Sequence, residues 1–166
     1  MTRADDKAPV AAGETLQDPA RFASLLPPGR RLIGIDAGTR TLGLALSDVR
    51  RSVASPLETI RRTKFTADAS RLLALAAEHA IAGFVLGLPI NLDGSEGPRA
   101  QATRAFARNL NKLSPLPILL WDERLTTAEA ERVLLAADAS RKRRAEVIDK
   151  MAATLILQGA LDRMRA

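Results

Sequence analysis

The chain has 166 residues, 46% of them apolar, which suits one compact domain able to bury roughly two-thirds of its unfolded surface. With no cysteine and one histidine, disulfides, thiolate metal centres and thiol catalysis are excluded and zinc is disfavoured. A formal net charge of +6 with only one Trp, four Phe and no Tyr points to a polyanionic partner, nucleic acid first, held by charge rather than by rows of stacked aromatics.

Residues 1–29 mix Ala, Pro, Gly and charges without periodicity. Their bases, with Arg30 at the border (Arg3, Lys7, Arg21, Arg30), balance four acids (Asp5, Asp6, Glu14, Asp18), so the basic excess belongs to residues 31–166. They read as a flexible N-terminal extension with at most one short helical turn, ahead of a single domain over residues 30–166. Their deletion is therefore expected to change stability by no more than ~1 kcal/mol. Neither a signal pattern nor an apolar run near the ~20 residues of a membrane span is present, so a cytoplasmic protein without membrane contact is expected.

Residues 31–36 alternate apolar residues into an acid, residues 38–40 read as a turn, and residues 41–48 alternate again, which predicts a hairpin. A third extended segment comes next, over residues 52–60, then a helix with Leu72, Leu73, Leu75 and Ala76 on one side. The apolar run at residues 82–88, stopped by Pro89, reads as a buried parallel strand with an exit loop rich in turn formers. A helix is predicted over residues 98–113 and a second buried strand over residues 117–123. Thr126-Thr-Ala-Glu129 fits a capping box that opens a helix ending near Ala137. A basic loop, Arg141-Lys-Arg-Arg144, leads to the last helix. The order β-β-β-α-β-α-β-α-α predicts an α/β fold, a mixed central sheet flanked by helices.

Carboxylates sit where apolar neighbours make them out of place. Asp36, the loop of Asn91 and Asp93, and Asp122-Glu123 all fall at ends of strands that can lie side by side and open on one edge. Taken alone, Asp36 could be a turn-forming Asp and Glu123 a partner of Arg124. Because a pleat turns successive residues to opposite faces, only one of Asp122 and Glu123 is expected as a primary ligand, and Glu123 is preferred. Asp149 falls on a helical face of small residues with Ala152, Ala153, Ile156 and Ala160, expected within the first turn or so; its alternative is to stabilise the helix N-terminus or pair with an Arg. Clustered carboxylates without Cys and with a single His select Mg²⁺ or Mn²⁺. Two such ions ~4 Å apart support in-line phosphodiester hydrolysis without a nucleophilic side chain. Arg40, Arg61, Arg62, Lys64 and the run Arg141, Lys142, Arg143, Arg144 can hold phosphates beside the acids, although a basic run of four is commonly just a solvated loop.

The blocks Gly34-Ile-Asp-Ala-Gly38 with Arg40 and Gly43, Gly87-Leu-Pro89 with Asn91 and Asp93-Gly94, Asp122-Glu-Arg-Leu-Thr-Thr127, and Asp149 with Ala152-Ala153 resemble the YqgF (RuvX) family, in order, over residues 30–165. The resemblance implies an RNase H-like fold and metal-dependent nuclease activity in 5′-end maturation of the precursor of 16S rRNA, with Holliday junction resolution as the alternative. Asp36, Glu123 (or Asp122) and Asp149 carry over as catalytic, metal-holding acids. Arg40, Asn91, Arg124 and the 141–144 run are expected at the nucleic acid. The implied partners are precursor rRNA, structured or branched DNA and ribosomal precursor particles, for a monomer or weak homodimer. Gly34-Ile-Asp-Ala-Gly-Thr39 also resembles the first phosphate loop of actin-like ATPases and sugar kinases, which are about twice as long and carry a second such loop that this chain lacks. A catalytically silent RNA-binding module would share the basic surface, and a metal-dependent cleavage assay separates it from a nuclease.

Overall fold

The computed structural model describes residues 12–125 and 141–165, with the backbone alone described over residues 141–149. Six strands form one mixed sheet: β1 (Thr15–Leu16), β2 (Arg31–Ala37), β3 (Thr41–Ser47), β4 (Ala54–Arg61), β5 (Ile81–Leu88) and β6 (Ile118–Asp122), in the order β1-β6-β5-β2-β3-β4. β2 and β3 pair antiparallel, as do β3 and β4. β5 runs parallel to both β2 and β6, and β1 parallel to β6. The C-terminal ends of β2, β4, β5 and β6 therefore share one edge of the sheet, together with the turn that joins β2 to β3.

Helices cover both faces. α2 (Phe65–Glu78) and α3 (Pro98–Leu113) lie on one, where Ala69, Leu72, Leu75, Phe106 and Leu110 pack on Ile33, Ile35, Leu44, Phe84 and Leu86. α1 (Pro19–Ser24) and α4 (Arg141–Arg165) lie on the other, where Phe22, Ala153, Ile156, Leu157 and Leu161 meet Leu32, Val85 and Leu119. β5 is buried along its whole length, as a strand covered on both faces should be. Strand pleating sorts β2 between the layers: Leu32 and Gly34 face α4 while Ile33 and Ile35 face α2 and α3. Gly34 has no room for a side chain, since a Cβ there would lie 2.7 Å from the Cβ of Leu157 and 2.9 Å from the carbonyl oxygen of Ala153. α4 thus rests directly on the backbone of β2.

Three sequence expectations change. Residues 15–24 do not trail outside the fold. β1 adds to the sheet beside β6, Asp18 caps α1 by accepting the Ala20 amide at 3.0 Å, and Phe22 is fully buried. The Phe22 ring fills the space over Gly83, where a Cβ would approach its Cζ to 3.0 Å. Deletion of residues 1–29 is therefore no longer expected to be neutral, and Phe22→Ala alone should cost about 3–5 kcal/mol, the range for emptying a buried aromatic site, as a urea melt measures. Second, the basic run Arg141–Arg144 opens α4 rather than forming a loop; Arg, Lys, Ala and Glu in this stretch are good helix formers. Third, Asp149 consequently sits more than two turns into α4, one turn before Ala153 on the same face. The capping box at Thr126 and the helix expected to end near Ala137 lie outside the described residues.

Candidate active site

The pleat that puts Gly34 against α4 also assigns Asp36, two residues on, to that face, at the end of β2. On β6 the same alternation puts Trp121 against Gly159 of α4 and turns Asp122 toward the α2 and α3 side. Asp122 is there taken by Arg124, whose backbone amide donates to it at 2.9 Å and whose Nη2 donates at 2.7 Å. The Arg124 guanidinium holds the Asp122 carboxyl below the usual carboxylate range. β6 ends at Asp122, and Glu123 starts a 3-10 turn, Glu123–Leu125. The turn keeps Glu123 on the face that the pleat assigns to it, the face of Trp121 and Asp36, where its Oε1 and Cγ lie over Gly87 at 2.6 and 3.0 Å from where a Cβ would stand.

Asp36 and Glu123 meet there in a side-chain hydrogen bond. Burial, first, and then the charge and hydrogen bond of Asp36 push the Glu123 carboxyl up to about 7; Arg99 opposes this and Asp122 adds to it. A carboxylate pair that shares a proton near neutrality is a poor structural contact and a good cation site, because a divalent ion replaces the proton and removes the repulsion. The donor set of hard oxygens fits Mg²⁺ or Mn²⁺.

The remaining expected site residues divide. Arg40 is exposed on the β2–β3 turn, and Arg61 ends β4 directly opposite Thr41, so both lie on the edge that carries Asp36. Arg124 lies on this edge but is committed to Asp122. Asn91 shapes its own loop: its side-chain amide donates to Ser95 Oγ at 3.0 Å, while Asp93 accepts from the Ser95 amide and hydroxyl. That loop stands beside Arg124, with the Cβ position of Gly94 3.9 Å from its Nη1. Arg141, Lys142, Arg143, Arg144 and Asp149 are placed by the α4 backbone only. Sequence reasoning overlooks Arg99, in the first turn of α3 and close enough for its charge to be felt at Glu123. Its one signal is position, a base following Pro98 directly after the turn-rich loop.

Comparison with known proteins gives the family and the fold. A profile of the RuvX family, described as Holliday junction resolvase, matches residues 30–163. The chain belongs to the RuvX family. A protein of Paracoccus denitrificans named as a candidate pre-16S rRNA nuclease is 65% identical over 144 residues, 87% of this chain and 91% of that one. One of Rhodobacter capsulatus with the same name is 64% identical over 86% of this chain and 90% of its own. Among solved structures, RuvC of T. thermophilus in complex with a Holliday junction substrate superposes with a TM-score of 0.52 at 15% identity, covering 81% of this chain and 96% of that one. The shared architecture is the RNase H-like fold.

Proposed function

We propose that this RuvX protein is a divalent-metal-dependent nuclease that hydrolyses phosphodiester bonds of the precursor of 16S rRNA during maturation of its 5′ end. The observation that carries the reading is the Asp36–Glu123 carboxyl pair on a sheet edge flanked by the exposed bases Arg40, Arg61 and Lys64. The names borne by relatives 64–65% identical over nearly the whole chain support the substrate.

Asp36 and Glu123, with Asp149 from α4, would hold Mg²⁺ or Mn²⁺. The chemistry supplied by the bound ion is activation of water and neutralisation of charge on the leaving oxygen. Asp36 is oriented by a strand buried on both faces, so its carboxylate is preorganised. With its carboxyl pushed up to about 7, Glu123 is only partly protonated at neutral pH, and a bound cation would displace the proton that remains. Arg40, Arg61 and Lys64 draw the phosphate backbone to the edge, and the bases Arg141, Lys142, Arg143 and Arg144 of α4 would add to that attraction. No helix of the described residues is long and apolar enough to cross a membrane. We place the protein in the cytoplasm, as a monomer or weak homodimer acting on ribosomal precursor particles.

The family description favours a second substrate, a four-way DNA junction. Purified protein is incubated with precursor 16S rRNA and with such a junction, each in Mg²⁺, Mn²⁺ or chelator. Cleavage of the rRNA 5′ leader in either metal, abolished by chelator, is the expected result. Cleavage of the junction alone would transfer the function to DNA, and cleavage of neither would leave a binding module.

A further inference from the structure

Beside the acids, on the α2 and α3 side of the same edge, lies a recess of about 70 Å³ walled by Gly38, Thr39, Arg62, Arg99, Thr103 and Phe106. We propose that Arg62 and Arg99 seat a second phosphodiester of the bound nucleic acid in this recess, next to the one that is cut. The proposal rests on the nuclease reading and adds to it a positioning site.

Arg62 is fixed before any ligand arrives. Its Nη1 donates to the Gly38 carbonyl at 2.6 Å, its Nε lies 3.9 Å from Asp68 Oδ2, and its guanidinium stands 5.7 Å from the centre of the Phe106 ring. These contacts leave other N–H groups of the fork open, in the planar geometry that matches a phosphate. Arg99 is different from its neighbours. Arg71, Arg104 and Arg124 are each bound in a two-pronged ion pair, by Glu58, Glu96 and Asp122. Among the described residues Arg99 has no carboxylate within ion-pairing distance, although it is exposed and flanks the recess. The first turn of the 16-residue α3 carries no acid, so the positive end of the helix dipole adds to both guanidinium charges.

Size and position agree. A recess of about 70 Å³ is roughly twice the ~30 Å³ share of one water. That size suits a tetrahedral oxyanion. Ala37 belongs to its wall and directly follows Asp36, so a strand with one phosphate at the acids can lay a neighbouring phosphate between the two arginines. The cut bond would thereby be located by a contact that takes no part in breaking it.

The test separates binding from cleavage. Affinity of full-length protein for a precursor 16S rRNA fragment is measured in chelator across a salt series, for wild type, Arg99→Ala, Arg99→Lys, Arg62→Lys and, as control, Arg108→Ala. Arg108 is exposed further along α3, away from the recess. Arg99→Ala should weaken binding about five- to tenfold at about 100 mM salt and flatten the log–log salt slope by ~0.7–0.9, one phosphate contact. Arg99→Lys should recover the slope but not the full affinity, having charge without the fork. Arg62→Lys should keep the charge that faces buried Asp68 and still lose affinity. Where cleavage is observed, these variants should raise KM far more than they lower kcat. If Arg99→Ala matches Arg108→Ala in both affinity and slope, the recess is no phosphate site. If wild type cleaves no rRNA yet the Arg99 effect persists in chelator, the nuclease reading fails and the recess stands.

Discussion

Asp36→Asn is expected to lower cleavage of the rRNA precursor by at least ~10²-fold, the scale of losing one preorganised electrostatic group, without loss of stability. The amide keeps the size of the side chain but removes the charge that pushes the Glu123 proton affinity up. In the absence of metal the variant should therefore melt no lower than wild type near pH 7, and a higher melting point would fit a site whose strain serves function. Glu123→Gln should be about as damaging as Asp36→Asn. Asp122→Asn should cost much less, because the pleat turns Asp122 to the opposite face and Arg124 occupies it. Single-turnover rates in Mn²⁺ and thermal melts in chelator check both halves. Full activity in Asp36→Asn would reject the site, and a larger loss in Asp122→Asn than in Glu123→Gln would reverse the assignment of the two faces.

Gly87→Ala should reach the same site without touching an acid. A methyl group at residue 87 would lie 2.6 Å from Glu123 Oε1 and 2.5 Å from Ile156 Cδ1, so Glu123 or α4 must shift. A displacement of about 1 Å at a reacting group can cost ~10² in rate, and overpacking costs about 1–3 kcal/mol. Loss of cleavage with the protein still folded by circular dichroism is the expected outcome. A fully active Gly87→Ala variant would mean that Glu123 does not need its place over β5.

The parts of this fold that can be read from sequence are those with periodicity. The alternation into Asp36 and out again after Arg40 marks β2 and β3, and apolar runs closed by Pro89 and by Asp122 mark β5 and β6. β1 and α1 cannot be seen this way. Two residues of strand and six of helix carry no period, and the burial of Phe22 depends on a space over Gly83 that exists only once β5 is in the sheet. The basic run at residue 141 reads as a loop because its charge suggests solvent, although helix propensity argues the other way and prevails. For the site, the face of Asp36 follows from counting along β2. The face of Glu123 follows from the same count along β6, whereas its meeting with Asp36 requires the order of the strands in the sheet and the nearness of Arg99 requires the packing of α3.

If Asp36 and Glu123 form one cation-binding pair, titration calorimetry of Mn²⁺ in buffers of different ionisation enthalpy will show it. A Glu123 carboxyl raised to about 7 keeps in the folded chain a proton that the unfolded chain gives up near the usual Glu value. Metal-free stability should thus fall as pH rises from about 4.5 to about 7, since the folded state binds more protons across that window. Mn²⁺ should bind more tightly as pH rises through the same window and release a fraction of a proton at pH 7, and both effects should vanish in Glu123→Gln. Binding by wild type with no proton release, or binding unchanged in both Asp36→Asn and Glu123→Gln, would contradict the account.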